Sequence, residues 1–283
     1  MISSFLSHAK INLGLKILNK RKDNYHNLYS LFIELALSDE LIFSPAIDFK
    51  LSADCANNIQ FPLDNTNLIS RAYELMRQEA GSVSSEYAVH INKVIPLGSG
   101  LGGGSSNAAF TLKALNELWK MNYSINKLET LGAKLGADVP FFIRGGFQLA
   151  EGIGEKLTPQ NDHTLHGLHF LLIIPPFHIS TPDAYRSLNI PLRTVENHSK
   201  FAPVSEPVNW QLFDNDFEKV FRKTYPEIGD IKENLQDAGA LYAGLSGSGS
   251  TVFGVFDNLK TAELTREDFS RYQTFLTSPV FHS

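Results

Sequence analysis

The sequence predicts an α+β protein of two domains, on three observations. Stretches with strict apolar alternation, the mark of half-buried strands, are interleaved with stretches of helical apolar spacing. The character of the chain changes near residue 152, which places the division between 1–152 and 153–283. A length of 283 residues with 43% hydrophobic content gives each part enough apolar bulk for a core.

The elements follow in order. In HAKINLGLKI (8–17), Ala9, Ile11, Leu13, Leu15 and Ile17 point one way and His8, Lys10, Asn12, Gly14 and Lys16 the other, which is a strand with one buried face. NKRKDNYHN (19–27) is a polar loop. LYSLFIELAL and ELIFSP read as two strands joined by a Ser-Asp turn. Residues 65–80 are helical, with Leu68, Ala72, Leu75 and Met76 on one face, and EYAVHINKVI (86–95) alternates again until Pro96 ends it. A helix over 105–119 carries Ala108, Ala109, Leu112, Leu115 and Trp119 at helical spacing, and a shorter one over 127–135 leads into GADVPFF. Beyond residue 152, HFLLIIPP is a buried strand and 189–209 a long connecting loop. Helices over 210–222 and 226–238 precede a strand pair, ALYAGLS and STVFGVF, that meets around Gly247, Ser248 and Gly249.

Charge and composition exclude several functions. The net charge of −5, with both signs mixed along the chain, lacks the basic footprint of a nucleic-acid or anionic-membrane binder. Cys55 is the only cysteine, so no intramolecular disulfide forms and a reducing compartment is expected. The N-terminus lacks a basic segment followed by a long apolar one, and FLLIIPPF at 170–177 is too short to span a bilayer. The expectation is a soluble, cytoplasmic protein.

The stretch with chemistry is PLGSGLGGGSSNAA, residues 96–109, with five glycines and three serines inside ten positions. Gly98, Gly100 and Gly103 satisfy GxGxxG between a strand and a helix, the setting of a dinucleotide fingerprint. The fit is poor, because the nearest acidic residues, Glu117 and Glu129, fall within or beside helices rather than at the end of a second strand. No Lys-Ser or Lys-Thr follows the glycines, which excludes a Walker loop. A polyphosphate cradle remains, alongside the plainer reading of a flexible loop before a capped helix. Gly102, Gly103 and Gly104 let the backbone approach an anion, and Ser105 and Ser106 fall at the expected N-cap, where unpaired N–H donors and a positive dipole end meet.

Six ordered blocks then resemble a known superfamily: AKINLGL, Tyr25-His26, NLI at 67–69, the triple glycine, GADVPFF and LSGSGSTVF. Together they are similar to the GHMP kinases, the superfamily of galactokinase, homoserine kinase and mevalonate kinase, and within it to a branch acting on a cytidylated alcohol. The resemblance implies an N-terminal mixed β/α domain and a smaller, ferredoxin-like C-terminal α+β domain, with the site between them. It implies ATP and a small-molecule alcohol as partners, Mg²⁺ accompanying ATP, no nucleic acid or membrane, and a monomer or homodimer. Metal ligands are not identified. The rival readings are a homoserine- or mevalonate-type kinase of the same superfamily, or a nucleotide-binding regulator without catalysis.

Roles follow from the resemblance, position by position. Asp138, which by itself reads equally as a turn aspartate before Val-Pro, would be the general base. Lys10, otherwise an exposed strand lysine, would hold Asp138 ionised and stabilise the developing alkoxide. Asn12 shares its face and would hydrogen-bond the substrate hydroxyl. Tyr25 and Tyr185 would stack on cytosine, and His26 would contact its polar edge. Gly247, Ser248 and Gly249, otherwise a hairpin turn, would close over the substrate diphosphate. Pro96, Leu97, Gly98, Ser99, Gly100, Leu101, Gly102, Gly103, Gly104, Ser105 and Ser106 would hold the triphosphate, with Asn67, Leu68, Ile69 and Lys93 around the adenosine.

Overall fold

A computed structural model describes residues 2–55, 61–81, 85–188, 200–221 and 223–282. Of the connecting loop expected over 189–209, residues 189–199 lie outside the described residues. The chain forms two compact units, one of Met1–Ala9, Leu37–Leu97 and Gly102–Arg144, the other of Lys10–Ala36, Gly98–Leu101 and Gly145–Ser283. Two long strands, β1 (Ser3–Lys20) and β2 (His26–Ala46), contribute residues to both.

In the first unit, the second half of β2 pairs antiparallel with β4 (Glu86–Lys93), from Glu40 opposite Asn92 to Ala46 opposite Glu86. β3 (Lys50–Cys55) runs parallel to β4. The expected turn at Ser38-Asp39 does not form; β2 continues through it. Asp39 is fully buried, and donors from other elements satisfy its carboxylate, so the strand has no need to turn a charge toward water.

Four helices complete this unit. In α1 (Leu68–Ala80), Asn67 caps the N-terminus by accepting from the Ile69 amide, and Ile69, Ala72, Tyr73 and Met76 are buried. α2 (Gly103–Leu118) buries Ala108, Ala109, Leu112 and Leu115, at positions the apolar spacing predicts. It begins at Gly103 rather than Ser105, because Gly102 takes φ 70° and the chain enters the helix from the left-handed region. α3 (Ile125–Ala133) precedes α4 (Val139–Arg144), a short helix within GADVPFF. Pro140 fits there because N–H groups in a first helical turn lack intrahelical partners anyway. Arg144 donates to both carboxylate oxygens of Glu129, at 2.7 and 2.8 Å, which ties α4 to α3.

In the second unit, the first half of β2 pairs antiparallel with β5 (Phe147–Gly152), which pairs with β6 (Lys156–Pro159). A separate four-stranded antiparallel sheet is built from β7 (His169–Ile174), β8 (Tyr242–Leu245), β9 (Val252–Phe256) and β10 (Gln273–Thr277), in the spatial order β10-β7-β9-β8. Among the described residues, the α-helices between β7 and β8 are α5 (Thr181–Arg186), α6 (Asp216–Phe221) and α7 (Pro226–Asp237); α8 (Leu259–Asp268) lies between β9 and β10. This is the split βαβ arrangement of a ferredoxin-like layer. Phe170, Leu172, Phe253 and Val255 are buried without exposure, and full burial of each side chain contributes about 1.5–3 kcal/mol.

The helix expected over 210–222 is instead a 3₁₀ turn at Trp210–Leu212 followed by α6. Asn215 makes the break: its side-chain oxygen accepts from the Phe217 amide, and its amide donates to the carbonyls of Leu245 and Gly247.

Candidate functional site

The glycine run divides between the two units. In the second, Gly100 has φ 83°, and a Cβ there would collide with the Ser246 carbonyl and sit 3.0 Å from that of Gly249. Only glycine permits this approach. The Thr251 amide donates to the Ser99 carbonyl at 3.0 Å, and Ser246 Oγ to the Gly100 carbonyl at 2.9 Å. Two glycine-serine segments far apart in sequence, 98–101 and 246–251, thus lie against one another.

Lys10 and Asn12 join the same place. The Lys10 amide donates to the Leu101 carbonyl at 3.0 Å. Its ammonium donates to Asn12 Oδ1 at 2.7 Å and lies 4.3 Å above the Phe32 ring. Asn12 is held by Ser30 Oγ, which its amide reaches at 2.9 Å, and its oxygen is 3.2 Å from where a Cβ on Gly247 would stand. Ser248 Oγ shares a hydrogen bond with Thr181 Oγ1 at 2.9 Å. Lys10, expected on the polar face of the strand, is in fact buried.

The aromatic residues settle differently. The His26 ring stacks on Tyr185, which is braced edge-on by Phe217 at 5.1 Å, whereas Tyr25 is 58% exposed. Burial pulls the His26 pKa below the ordinary histidine value, and the positive charge of Lys20 adds to the shift.

In the first unit, the opening turn of α2 offers the N–H groups of Gly103, Gly104 and Ser105, since an α-helix leaves such donors without intrahelical partners. Ser106 is already engaged: its amide donates to the Gly102 carbonyl, and its hydroxyl accepts from Ser7 Oγ at 2.8 Å. Gly104 is exposed, and the nearest atom to a Cβ there would be Leu68 Cδ1 at 3.7 Å. Leu68 therefore sits beside the opening turn of α2, while Asn67 and Ile69 are buried in capping α1. Asp138 is half-buried, directly before α4.

Lys93 is 3% exposed, with its ammonium on Asp39 at 2.7 Å and on the Ile95 carbonyl. Burial lowers its pKa below the ordinary lysine value, and the Asp39 charge opposes the shift. Phe217 escapes sequence reading, Ser246 and Thr251 enter it only as part of the LSGSGSTVF block, and Asp39 only as a turn residue. For Asp39 the available signal was an aspartate set inside a long apolar strand.

Comparison with known proteins decides the family. Residues 67–146 match the model of the GHMP kinases N-terminal domain, and residues 199–273 that of the GHMP kinases C-terminal domain. The 4-diphosphocytidyl-2-C-methyl-D-erythritol kinase of Chlorobium phaeobacteroides is 40% identical, over 98% of this chain and 95% of the relative. The chain belongs to that family of GHMP kinases. The enzyme of the same name from Prosthecochloris aestuarii is 41% identical over 94% of this chain and 93% of its own. A crystal structure of a 4-(cytidine 5'-diphospho)-2C-methyl-D-erythritol kinase superposes with a TM-score of 0.80 at 28% identity, covering 99% of this kinase and all of that chain. A homoserine kinase from Cytophaga hutchinsonii, 18% identical with a TM-score of 0.69 over 98% of this chain and 95% of its own, shares the fold. Among the described residues of the kinase, no helix is long and apolar enough to cross a membrane.

Proposed function

We propose that this kinase transfers the γ-phosphoryl group of ATP to the C2 hydroxyl of 4-diphosphocytidyl-2-C-methyl-D-erythritol, a step of isoprenoid precursor synthesis by the non-mevalonate route. One observation supports the reading most: Lys10, Asn12, the 98–101 segment and the 246–251 loop converge, with Lys10 buried and directed by Asn12. A buried ammonium beside backbone-lined glycine turns suits a site where charge builds on oxygen.

In this reading the Asp138 carboxylate accepts the proton of the C2 hydroxyl as its oxygen bonds to the γ-phosphorus. The bond from that phosphorus to the bridging oxygen breaks, and ADP leaves. Lys10 supports the ionised Asp138 and the developing alkoxide, and Asn12 orients the hydroxyl. The N–H groups of Gly103, Gly104 and Ser105 and the dipole of α2 hold phosphate oxygens. His26 and Tyr185 form the cytosine platform, with Tyr25 closing over the base.

Mg²⁺ fits as a companion of the triphosphate, since it favours phosphate oxygens and water over dedicated protein cages, and it would neutralise phosphate charge. The cluster with metal-ligand spacing among the described residues, Asp162, His163 and His166, is imidazole-rich and suits transition metals better.

The test is ADP release with ATP, Mg²⁺ and the cytidylated alcohol, run beside mevalonate and homoserine. Turnover with the cytidylated alcohol alone supports the proposal. Turnover with another alcohol instead would remove the cytosine platform from the reading.

A further inference from the structure

A single buried carboxylate touches both ends of the glycine segment. Asp39 Oδ1 accepts the amides of Val94 and Ile95, each at 2.8 Å, at the entry to the segment. Asp39 Oδ2 accepts Lys93 Nζ at 2.7 Å and, from beyond the exit, Asn107 Nδ2 at 2.9 Å. Residues 96–106 lie between these two anchor points. The Asn107 amide also donates to Ser7 Oγ at 2.9 Å, and Ser7 donates to Ser106 Oγ at 2.8 Å. The Lys93 ammonium reaches under the start of α2, 3.2 Å from where a Cβ on Gly103 would stand. Asp39, Lys93, Asn107, Ser7 and Ser106 are all buried.

A buried ion pair contributes little net stability, because desolvation offsets most of its attraction. What it does supply is direction. Four donors converge on two oxygens, and together they fix the register of β4's end against the first turns of α2. A mobile glycine segment loses much entropy when it orders around an anion, and anchoring both of its ends removes part of that loss before the anion arrives.

We infer that Asp39 is a positioning residue: through Val94, Ile95 and Lys93 on one side and Asn107 on the other, it sets the geometry of the phosphate-binding segment and so the affinity for ATP. The inference rests on the reading of residues 96–106 as that segment.

Asn107→Ala cuts the exit anchor and leaves the Asp39–Lys93 pair in place. It should raise KM for ATP about tenfold, with KM for the alcohol unchanged, since a small misplacement of binding groups is costly. Asp39→Asn alone would leave the Lys93 cation buried without its anion, so it is made together with Lys93→Met. That double variant should raise KM for ATP further, and above the value for Lys93→Met alone, which separates the Asp39 anchor from any direct loss at Lys93. A merely structural role would lower the folded fraction, and with it apparent kcat, without moving KM for ATP. If both variants are folded by circular dichroism and bind ATP as the parent does, the inference is overturned. Gly104→Asp separates the two levels, because it sets a negative charge on the exposed first turn of α2. If it leaves ATP binding intact, the phosphate reading itself fails; if it abolishes binding while Asn107→Ala changes nothing, the anchoring role alone fails.

Discussion

The imidazole of His26 lies nearly parallel to the ring of Tyr185, with centroids 5.1 Å apart and planes 21° from each other. One ring opens β2 and the other belongs to α5, so the pair is made by the fold of the second unit rather than by local sequence. Phe217 presses edge-on against Tyr185 and limits its rotamers. A platform ordered in advance loses little entropy when a base stacks on it. Tyr185→Ala should therefore raise KM for the cytidylated alcohol about tenfold to a hundredfold, in line with roughly 1–3 kcal/mol per stacked base. Steady-state kinetics with both substrates decide the matter: an equal rise in KM for ATP would mean that Tyr185 supports the fold and not the base.

The same stack has a pH dependence of definite sign. Burial lowers the folded-state pKa of His26 below the ordinary 6.5, so over the interval beneath 6.5 the unfolded chain binds more proton than the folded one. The stability contributed by neutral His26 is complete above about 6.5 and is lost as pH falls through the folded value. Urea midpoints followed from neutral to mildly acidic pH should drop less steeply in His26→Gln than in the parent. Parallel curves for the two proteins would contradict the lowered pKa.

Asp138 lies directly before α4, and the proposed mechanism makes it the proton acceptor. Asp138→Asn keeps the shape and removes the basicity, so kcat should fall by about 10²–10⁴ with the thermal midpoint nearly unchanged. Turnover close to that of the parent would assign the base elsewhere.

Two glycines of one segment should respond oppositely to the same methyl group. At Gly100 the positive φ of 83° and the abutting Ser246 carbonyl make Gly100→Ala strained, and the protein should lose stability. At Gly104 the backbone is helical and a Cβ meets nothing closer than 3.7 Å, so Gly104→Ala should hold or raise the thermal midpoint, alanine being favoured in a helix by roughly 0.5–1 kcal/mol. Yet the added methyl stands where phosphate would approach, and KM for ATP should rise. Calorimetry and ATP kinetics on the two variants check both halves of this contrast.

Much of the architecture was legible before any coordinates. β4 and α1 declare themselves because one face of each is buried, and burial of one face imposes a period that local residues must obey, whereas β1 from Ala9 to Leu18 and α2 from Ser106 to Leu112 are buried all round and only their apolar positions keep the period. The glycine segment was legible for a related reason: the positive φ at Gly98, Gly100 and Gly102 admits almost no other residue. The GHMP blocks, read in order, pointed to the family that full-length relatives establish.

What the sequence could not decide were partnerships made across long separations. Ser38-Asp39 has the chemistry of a turn, and it stays in β2 because amides and an ammonium from residues 93–95 and an amide from Asn107 reach its carboxylate. Lys93, which the resemblance sets around the adenosine, becomes half of a buried pair with Asp39, while Lys10 leaves water for Asn12 and Phe32. Local sequence sets periodicity, turn chemistry and the places where only glycine fits. The fate of a polar side chain depends on which donors and acceptors the rest of the chain delivers to it, and that is settled only when the tertiary structure closes, because a buried charge survives only where partners arrive.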